Sequence, residues 1–317
     1  SSQVVGVTLG KTGTATETGS QADYTLPTTI SIPAGSFSAV VTLSAVGDLI
    51  DEDADGAIPS ETVIIDVTGV TNANELGTQR QTVNIADDDV IPTVTLTTGS
   101  ASILEVTGST TVTATLSAVS GLPVTVNLVK TGTATETADY TLAGTITIPA
   151  LTQSVSITLA TVNDELNEAT ESIIIDIDTV TNAIEAVPQQ KTVTINDNDA
   201  TPTVILSVGT PNIGEANGTT TAITVTLSAP AGQIVTVTLT KSGTASDTVD
   251  YTLSNTTIVI PAGVSSGAVT LTVLGDVIDE DAGGQVASET VVIDINEVTN
   301  AIESPMQTKT VTIVDDD

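Results

Sequence analysis

Two runs, Ser154-Val155-Ser156-Ile157-Thr158-Leu159-Ala160 and Ser172-Ile173-Ile174-Ile175-Asp176-Ile177-Asp178, flank the loop Asn163-Asp164-Glu165-Leu166-Asn167-Glu168-Ala169-Thr170-Glu171. In both runs every second residue is apolar: Val155, Ile157 and Leu159 before the loop, Ile173, Ile175 and Ile177 after it. A period of two marks a strand with one buried face and one wet face. Five more runs of this kind surround the loop, at residues 92–97, 110–117, 124–129, 144–148 and 191–196. Seven antiparallel strands in about 100 residues predict an immunoglobulin-like β-sandwich. No segment has a helical period.

The pattern recurs. Lys11-Thr12-Gly13-Thr14-Ala15-Thr16 returns at Lys130–Thr135 and, as Lys241-Ser242-Gly243-Thr244-Ala245-Ser246, a third time. Asp23-Tyr24, Asp139-Tyr140 and Asp250-Tyr251 match, as do Ile32-Pro33-Ala34, Ile148-Pro149-Ala150 and Ile260-Pro261-Ala262. Each repeat closes on an acidic triplet: Asp87-Asp88-Asp89, Asp197-Asn198-Asp199, Asp315-Asp316-Asp317. The period, roughly 110 residues, is that of a domain. The expected units are residues 1–89, 90–199 and 200–317. The first matches only the third to seventh runs. Either it is cut from a longer protein, or strands of a like chain complete it in a fibre. The links Val90-Ile91 and Ala200-Thr201 are too short to be flexible tethers, so a rod-like array is expected.

Composition narrows the function. The chain has 317 residues, 39% hydrophobic but only 1% aromatic, so its cores are Val, Ile and Leu. It has no cysteine and no histidine. Disulfides, thiolate or imidazole metal sites, and histidine-based triads are therefore excluded. A net charge of −33 with six basic residues excludes nucleic acid and anionic lipid as partners. No apolar run is long enough to insert in a membrane. Lys11, Lys130 and Lys241 share one repeat position and are expected to be exposed. Tyr24, Tyr140 and Tyr251 are expected to plug the sandwich end.

The carboxylates are not scattered. The acidic loop occurs as Asp48-Leu49-Ile50-Asp51-Glu52, Asp164-x-x-x-Glu168 and Asp276-Val277-Ile278-Asp279-Glu280. In an antiparallel sandwich the connections after the first, third and fifth runs share one end with the end of the seventh. Glu105, Asp139, Asp164, Glu165, Glu168, Glu171, Asp197 and Asp199 all fall there. The third repeat repeats this with Glu215, Asp250, Asp276, Glu280 and Asp315, Asp316 and Asp317, and the first with Asp23, Asp48, Asp51, Glu52, Asp87, Asp88 and Asp89. Two carboxylates about 5 Å apart repel by about 3 kcal/mol at an effective dielectric near 20. Five or six together exceed the roughly 5–15 kcal/mol stability of a domain. A hard cation with six to eight oxygen ligands, calcium before magnesium, resolves the conflict. A triplet so placed faces the next repeat, and the turn carrying Glu185 is the expected contact across the joint.

Together these residues resemble the Calx-β domain, a family known from sodium–calcium exchangers, an integrin β subunit and long bacterial surface proteins. Its order of motifs is matched by Glu105, Gly132-Thr133-Ala134, Asp139-Tyr140, Asp164-x-x-x-Glu168-x-x-Glu171 and Asp197-Asn198-Asp199. Asn198 replaces an acid. In the first and third repeats the acidic loop is longer, which places Glu61 and Glu289 away from the Asp48 and Asp276 cores, with Asp51 and Asp279 among the residues standing in. The resemblance implies calcium at the sandwich pole, calcium-dependent stiffening of tandem domains, and no catalysis. The expected function is a calcium-stiffened rod segment of an extracellular bacterial adhesin or filament. The alternative is a calcium-sensing module of a transporter or enzyme.

Overall fold

The computed structural model describes residues 1–19, 21–52, 61–275 and 288–315. Every regular element among them is a strand, and none of them forms a helix long and apolar enough to cross a membrane. The first stretch carries β1 (Val5–Gly13), β2 (Tyr24–Thr25), β3 (Thr29–Ile32), β4 (Ser44–Ala45), β5 (Glu61–Thr71) and β6 (Arg80–Ile85). The second carries β7 (Thr93–Thr98), β8 (Ser102–Leu104), β9 (Ser109–Leu116), β10 (Val124–Gly132) and β11 (Tyr140–Leu142), then β12 (Thr145–Ile148), β13 (Ser154–Thr161), β14 (Glu171–Thr181), β15 (Ile184–Glu185) and β16 (Gln190–Asn196). The third repeats this plan as β17 (Thr203–Val208), β18 (Asn212–Gly214), β19 (Thr220–Leu227), β20 (Val235–Gly243) and β21 (Tyr251–Leu253), then β22 (Thr257–Ile260), β23 (Ser266–Val273), β24 (Ser288–Thr299), β25 (Ile302–Glu303) and β26 (Thr308–Val314).

Two five-stranded sheets form in the second stretch, β12-β10-β14-β16-β8 and β11-β13-β9-β7-β15, and the third has the same two. Alternate residues of both sheets enter one core. Val94, Leu96, Val112 and Leu116 of one sheet meet Val124, Val126, Ile173, Ile175 and Val193 of the other. This is the all-β, immunoglobulin-like sandwich that the period-two runs predict.

The seven runs all become strands, and three shorter strands join them. The first run breaks after Thr98, so that β7 lies in one sheet and β8 in the other. Each finds a parallel partner: β8 runs beside β16, and β15 beside β7. The expectation of purely antiparallel sheets is thus corrected at two short edges of each complete sandwich. Pairings of two or three residues leave no periodic trace in a sequence.

The first stretch keeps one sheet, β3-β1-β5-β6, and only the pair β2-β4 of the other. Nothing among the described residues corresponds to β7, β8 and β9. Its core is correspondingly small, built on Tyr24, Leu26 and Val63. Val83 is 37% exposed, whereas Val193 and Val311, at the same place in β16 and β26, are fully buried. The eight-residue β13 is held by β9; its counterpart β4, with no such neighbour, is two residues long, and Phe37 is fully exposed.

Candidate metal centre

Local hydrogen bonds set each acid before the acids meet. Asp23 Oδ2 accepts from the N–H of Thr16, Asp139 Oδ2 from Thr135 and Asp250 Oδ2 from Ser246, closing the loop that precedes the buried tyrosine. Tyr24, Tyr140 and Tyr251 are buried beside them, as the plugging role requires. In the acidic loop, Asp48 Oδ1 accepts from Ile50 N–H at 2.9 Å, and Asp164 Oδ1 from Leu166 N–H at 2.7 Å. Such Asx turns reverse the chain and bring the glutamate four residues on back over the sandwich end. In the closing triplets, Asp87 Oδ1 accepts from Asp89 N–H at 2.9 Å and Asp197 Oδ1 from Asp199 N–H at 3.3 Å. The last acid comes from a strand: Glu61 stands opposite Ile85, Glu171 opposite Ile195, and Glu289 opposite Ile313.

The result is two groups of carboxylates in each of the first two stretches. Asp23, Glu52 and Glu61 offer oxygens within 4.8 Å of one another, as do Asp139, Glu168 and Glu171. A second group is Asp87, Asp88 and Asp89 in the first stretch and Glu105, Asp164 and Asp199 in the second. Acids as far apart in sequence as Glu105 and Asp199 converge because the loops sharing one end of a sandwich are spatial neighbours. In the second stretch a single cavity is lined by Glu105, Asp139, Glu168, Glu171 and Asp197, and in the first by Asp23, Asp48, Glu52, Glu61 and Asp87–Asp89.

The electrostatics show the cost. Burial first, then the charges of Asp23, Asp48, Asp87 and Asp89, push Glu52 up to about 7. Burial, then a hydrogen bond and charge from Asp23, take Glu61 to about 7, and burial with Asp139 does the same to Glu171. Glu105, Glu168, Asp89 and Asp199 are raised from the same causes, burial leading. The ion pairs among the described residues lie elsewhere: Lys11–Glu17, Lys130–Glu136 and Lys241–Asp247. Asp199 Oδ2 is buried with no hydrogen-bond partner. An oxygen-only donor set, mutually repelling and partly orphaned, fits a hard divalent cation of the calcium type and no thiophilic metal.

Not every expected acid joins a group. Asp48 and Asp197 line the cavities without belonging to one. Asp51 is buried at the joint with the next repeat, where its carbonyl accepts from Gly121 N–H. Glu165 is exposed and contributes to Asp199 only through its charge. Glu215 is buried after β18 with its N–H on Val314 O, Asp250 is set by Ser246, and Asp315 ends the described chain. Asp276, Asp279, Glu280, Asp316 and Asp317 lie outside the described residues.

Three expectations are corrected. Glu61 does not fall away from the centre. It opens β5 in the register of Glu171, so the number of residues between Asp48 and Glu61 does not matter. The three lysines are not free surface charges: each is largely buried, pairs with an acid of its own loop, and in the first two repeats also donates to a carbonyl, Leu26 O or Leu142 O. The hydrogen bond across the first joint comes from Gly121 N–H to Asp51 O, and Glu185 uses its carboxylate within its own repeat. It lies in β15 beside β7 of its own sandwich and accepts from Gln189 N–H at 2.8 Å.

Tandem β-sandwiches whose loop ends gather buried carboxylates form a class of modules suited to hard cations. The Calx-beta domain model matches residues 86–199 and again 197–317, and the chain belongs to the Calx-beta domain family. Domains of this family bind and regulate rather than catalyse. No curated protein is a match to the chain. Among solved structures, CBD12 from CALX1.2 is 17% identical, covering 70% of this chain and 99% of its own, with a TM-score of 0.31. The calcium binding domain CBD12 of CALX1.1 is 19% identical over 65% of this chain and 80% of its own, TM-score 0.30. Apo-form Calx CBD1 is 21% identical over 37% and 100%, TM-score 0.32.

Proposed function

We propose that the chain is a calcium-binding structural segment, in which Ca2+ at the loop end of each repeat neutralises the gathered acids and stiffens the repeat and its joint. The observation that carries this is the pairing of Asp139, Glu168 and Glu171 with Glu105, Asp164 and Asp199 around one sandwich end, with Asp199 Oδ2 buried and unpartnered. These residues would hold the ion as monodentate or bidentate oxygen ligands. Bound calcium supplies the positive charge the loops lack, and the loops then no longer need to splay or take up protons.

The proposal extends to setting: a rod of tandem domains outside a bacterial cell. Threonine- and valine-rich sandwiches joined by two-residue links, without disulfides, support a mechanical role over a switch. A calorimetric calcium titration of the chain and of Asp164→Ala/Glu168→Ala tests the ligand reading. The variant should keep its strands by circular dichroism and lose calcium binding in the second repeat. Undiminished binding in that variant ends this assignment.

A further inference from the structure

We infer that the calcium centres of the first two repeats are finished from outside their own repeat: the turn between the second and third long strands of the following sandwich positions the glutamate of the acidic loop. Gly121 and Gly232 are then positioning residues for Glu52 and Glu168. The inference rests on the calcium reading above for the ligand role of these glutamates; the contact itself does not.

Both joints are built alike. At the first, Gly121 N–H donates to Asp51 O at 2.8 Å, and Asp51 and Ser120 pair as a short parallel bridge. At the second, Gly232 N–H donates to Asn167 O at 3.0 Å, and Asn167 and Ala231 pair in the same way. Ser120 and Ala231 are each only 1% exposed, so both turns are sealed in the joint. The turns are also tied to their own sandwiches, since Ser120 O accepts from Leu151 N–H and Ala231 O from Gly263 N–H, each at 2.8 Å. The gripped carbonyl belongs to the residue just before the glutamate in both cases. Asn167 further fixes its loop to the closing triplet, its amide donating to Asp197 Oδ2 and Asp199 O.

Glycine at these two turns is required by space, not by backbone conformation, for neither has the positive φ that favours it. A Cβ on Gly121 would stand 2.6 Å from Glu52 Cγ, and one on Gly232 would stand 2.4 Å from Glu168 Cγ and Oε1. The atoms in the way are those of a flexible side chain. A methyl group there displaces the carboxylate and leaves the backbone in place. The following sandwich therefore forms a floor under the glutamate, and by reciprocity calcium in one repeat and docking of the next strengthen each other.

The test is a calcium titration of the whole chain carrying Gly121→Ala and Gly232→Ala, beside Gly144→Ala, whose added Cβ meets nothing within 4 Å. The paired variant should bind calcium about 10- to 100-fold more weakly at the affected centres, the range for groups that orient metal ligands. Its melting temperature in chelator should match the parent, and Gly144→Ala should bind as the parent does. In a Glu52→Ala/Glu168→Ala background the glycine changes should have no further effect on calcium affinity. Parental affinity in the paired glycine variant overturns the inference while leaving the calcium reading intact. Parental affinity in the glutamate variant alone overturns the calcium reading instead. If the glycine variant fails to fold, folding restored by the added Glu→Ala changes upholds the contact, and failure to restore it overturns the contact.

Discussion

Glu105 Oε1 accepts a 2.8 Å hydrogen bond from the backbone N–H of Asp164, joining the connection before β9 to the loop after β13. The bond holds a buried carboxylate against the loop whose own acids repel it. Burial raises Glu105 most, the Asp164 N–H lowers it, and the charges of Asp164, Asp199 and Asp197 raise it again.

Glu105→Gln separates these effects. The amide oxygen keeps an acceptor for Asp164 N–H, and the charge is gone. Without calcium the variant should be more stable by on the order of 1 kcal/mol, part of the pair repulsion expected at short range. With calcium it should gain less from the ion than the parent does. Thermal melts of both proteins in chelator and in calcium read the two signs together. A variant less stable in chelator and equally stabilised by calcium would show that Glu105 is structural only.

The raised glutamates make the calcium-free protein sensitive to pH in a defined direction. Glu52, Glu61 and Glu171 stand near 7 in the fold against an ordinary 4.5. A carboxyl group whose folded value is raised contributes stability that is complete below its unfolded value and disappears as pH rises through the folded one. In chelator the melting temperature should therefore fall between about pH 4.5 and pH 7. With saturating calcium the slope should reverse, because protons and calcium compete for the same oxygens. A flat profile in chelator across this window contradicts the crowding described at the sandwich ends.

The sandwich was legible because Val124, Val126, Ile173 and Ile175 alternate with threonine and isoleucine partners at strict period two. The convergence of Asp139 with Glu168 was legible from parity alone, since strand direction fixes which loops share an end. Glu61 was not, because spacing in sequence says nothing about the strand register that places it. The pairing of Lys130 with Glu136 was hidden for a related reason: the contact depends on how the loop curls after Gly132, which has a φ of 125°. The joint at Asn167 and Gly232 left no signal, because its hydrogen bond is between main-chain atoms and carries no residue preference beyond a glycine.

Val90 is 85% exposed directly after Asp87–Asp89, and Ala200 is exposed directly after Asp197–Asp199. Both are small aliphatic residues of the kind elastase cleaves beside, and cleavage needs several flanking residues to leave their native positions. Without calcium the triplet before each link is held by its own turn and by single bonds such as Glu52 N–H to Asp87 Oδ2. Local opening there is expected to be cheap. Calcium would bind the triplet to loops from other parts of the sandwich, so that opening the link requires releasing the ion. Elastase should cut at these two links several times more slowly in calcium than in chelator. Magnesium, which keeps more of its own water, should protect less. Equal cutting rates in calcium and chelator, measured by mass spectrometry of the fragments, would separate the triplets from the cation sites and leave the links as plain hinges.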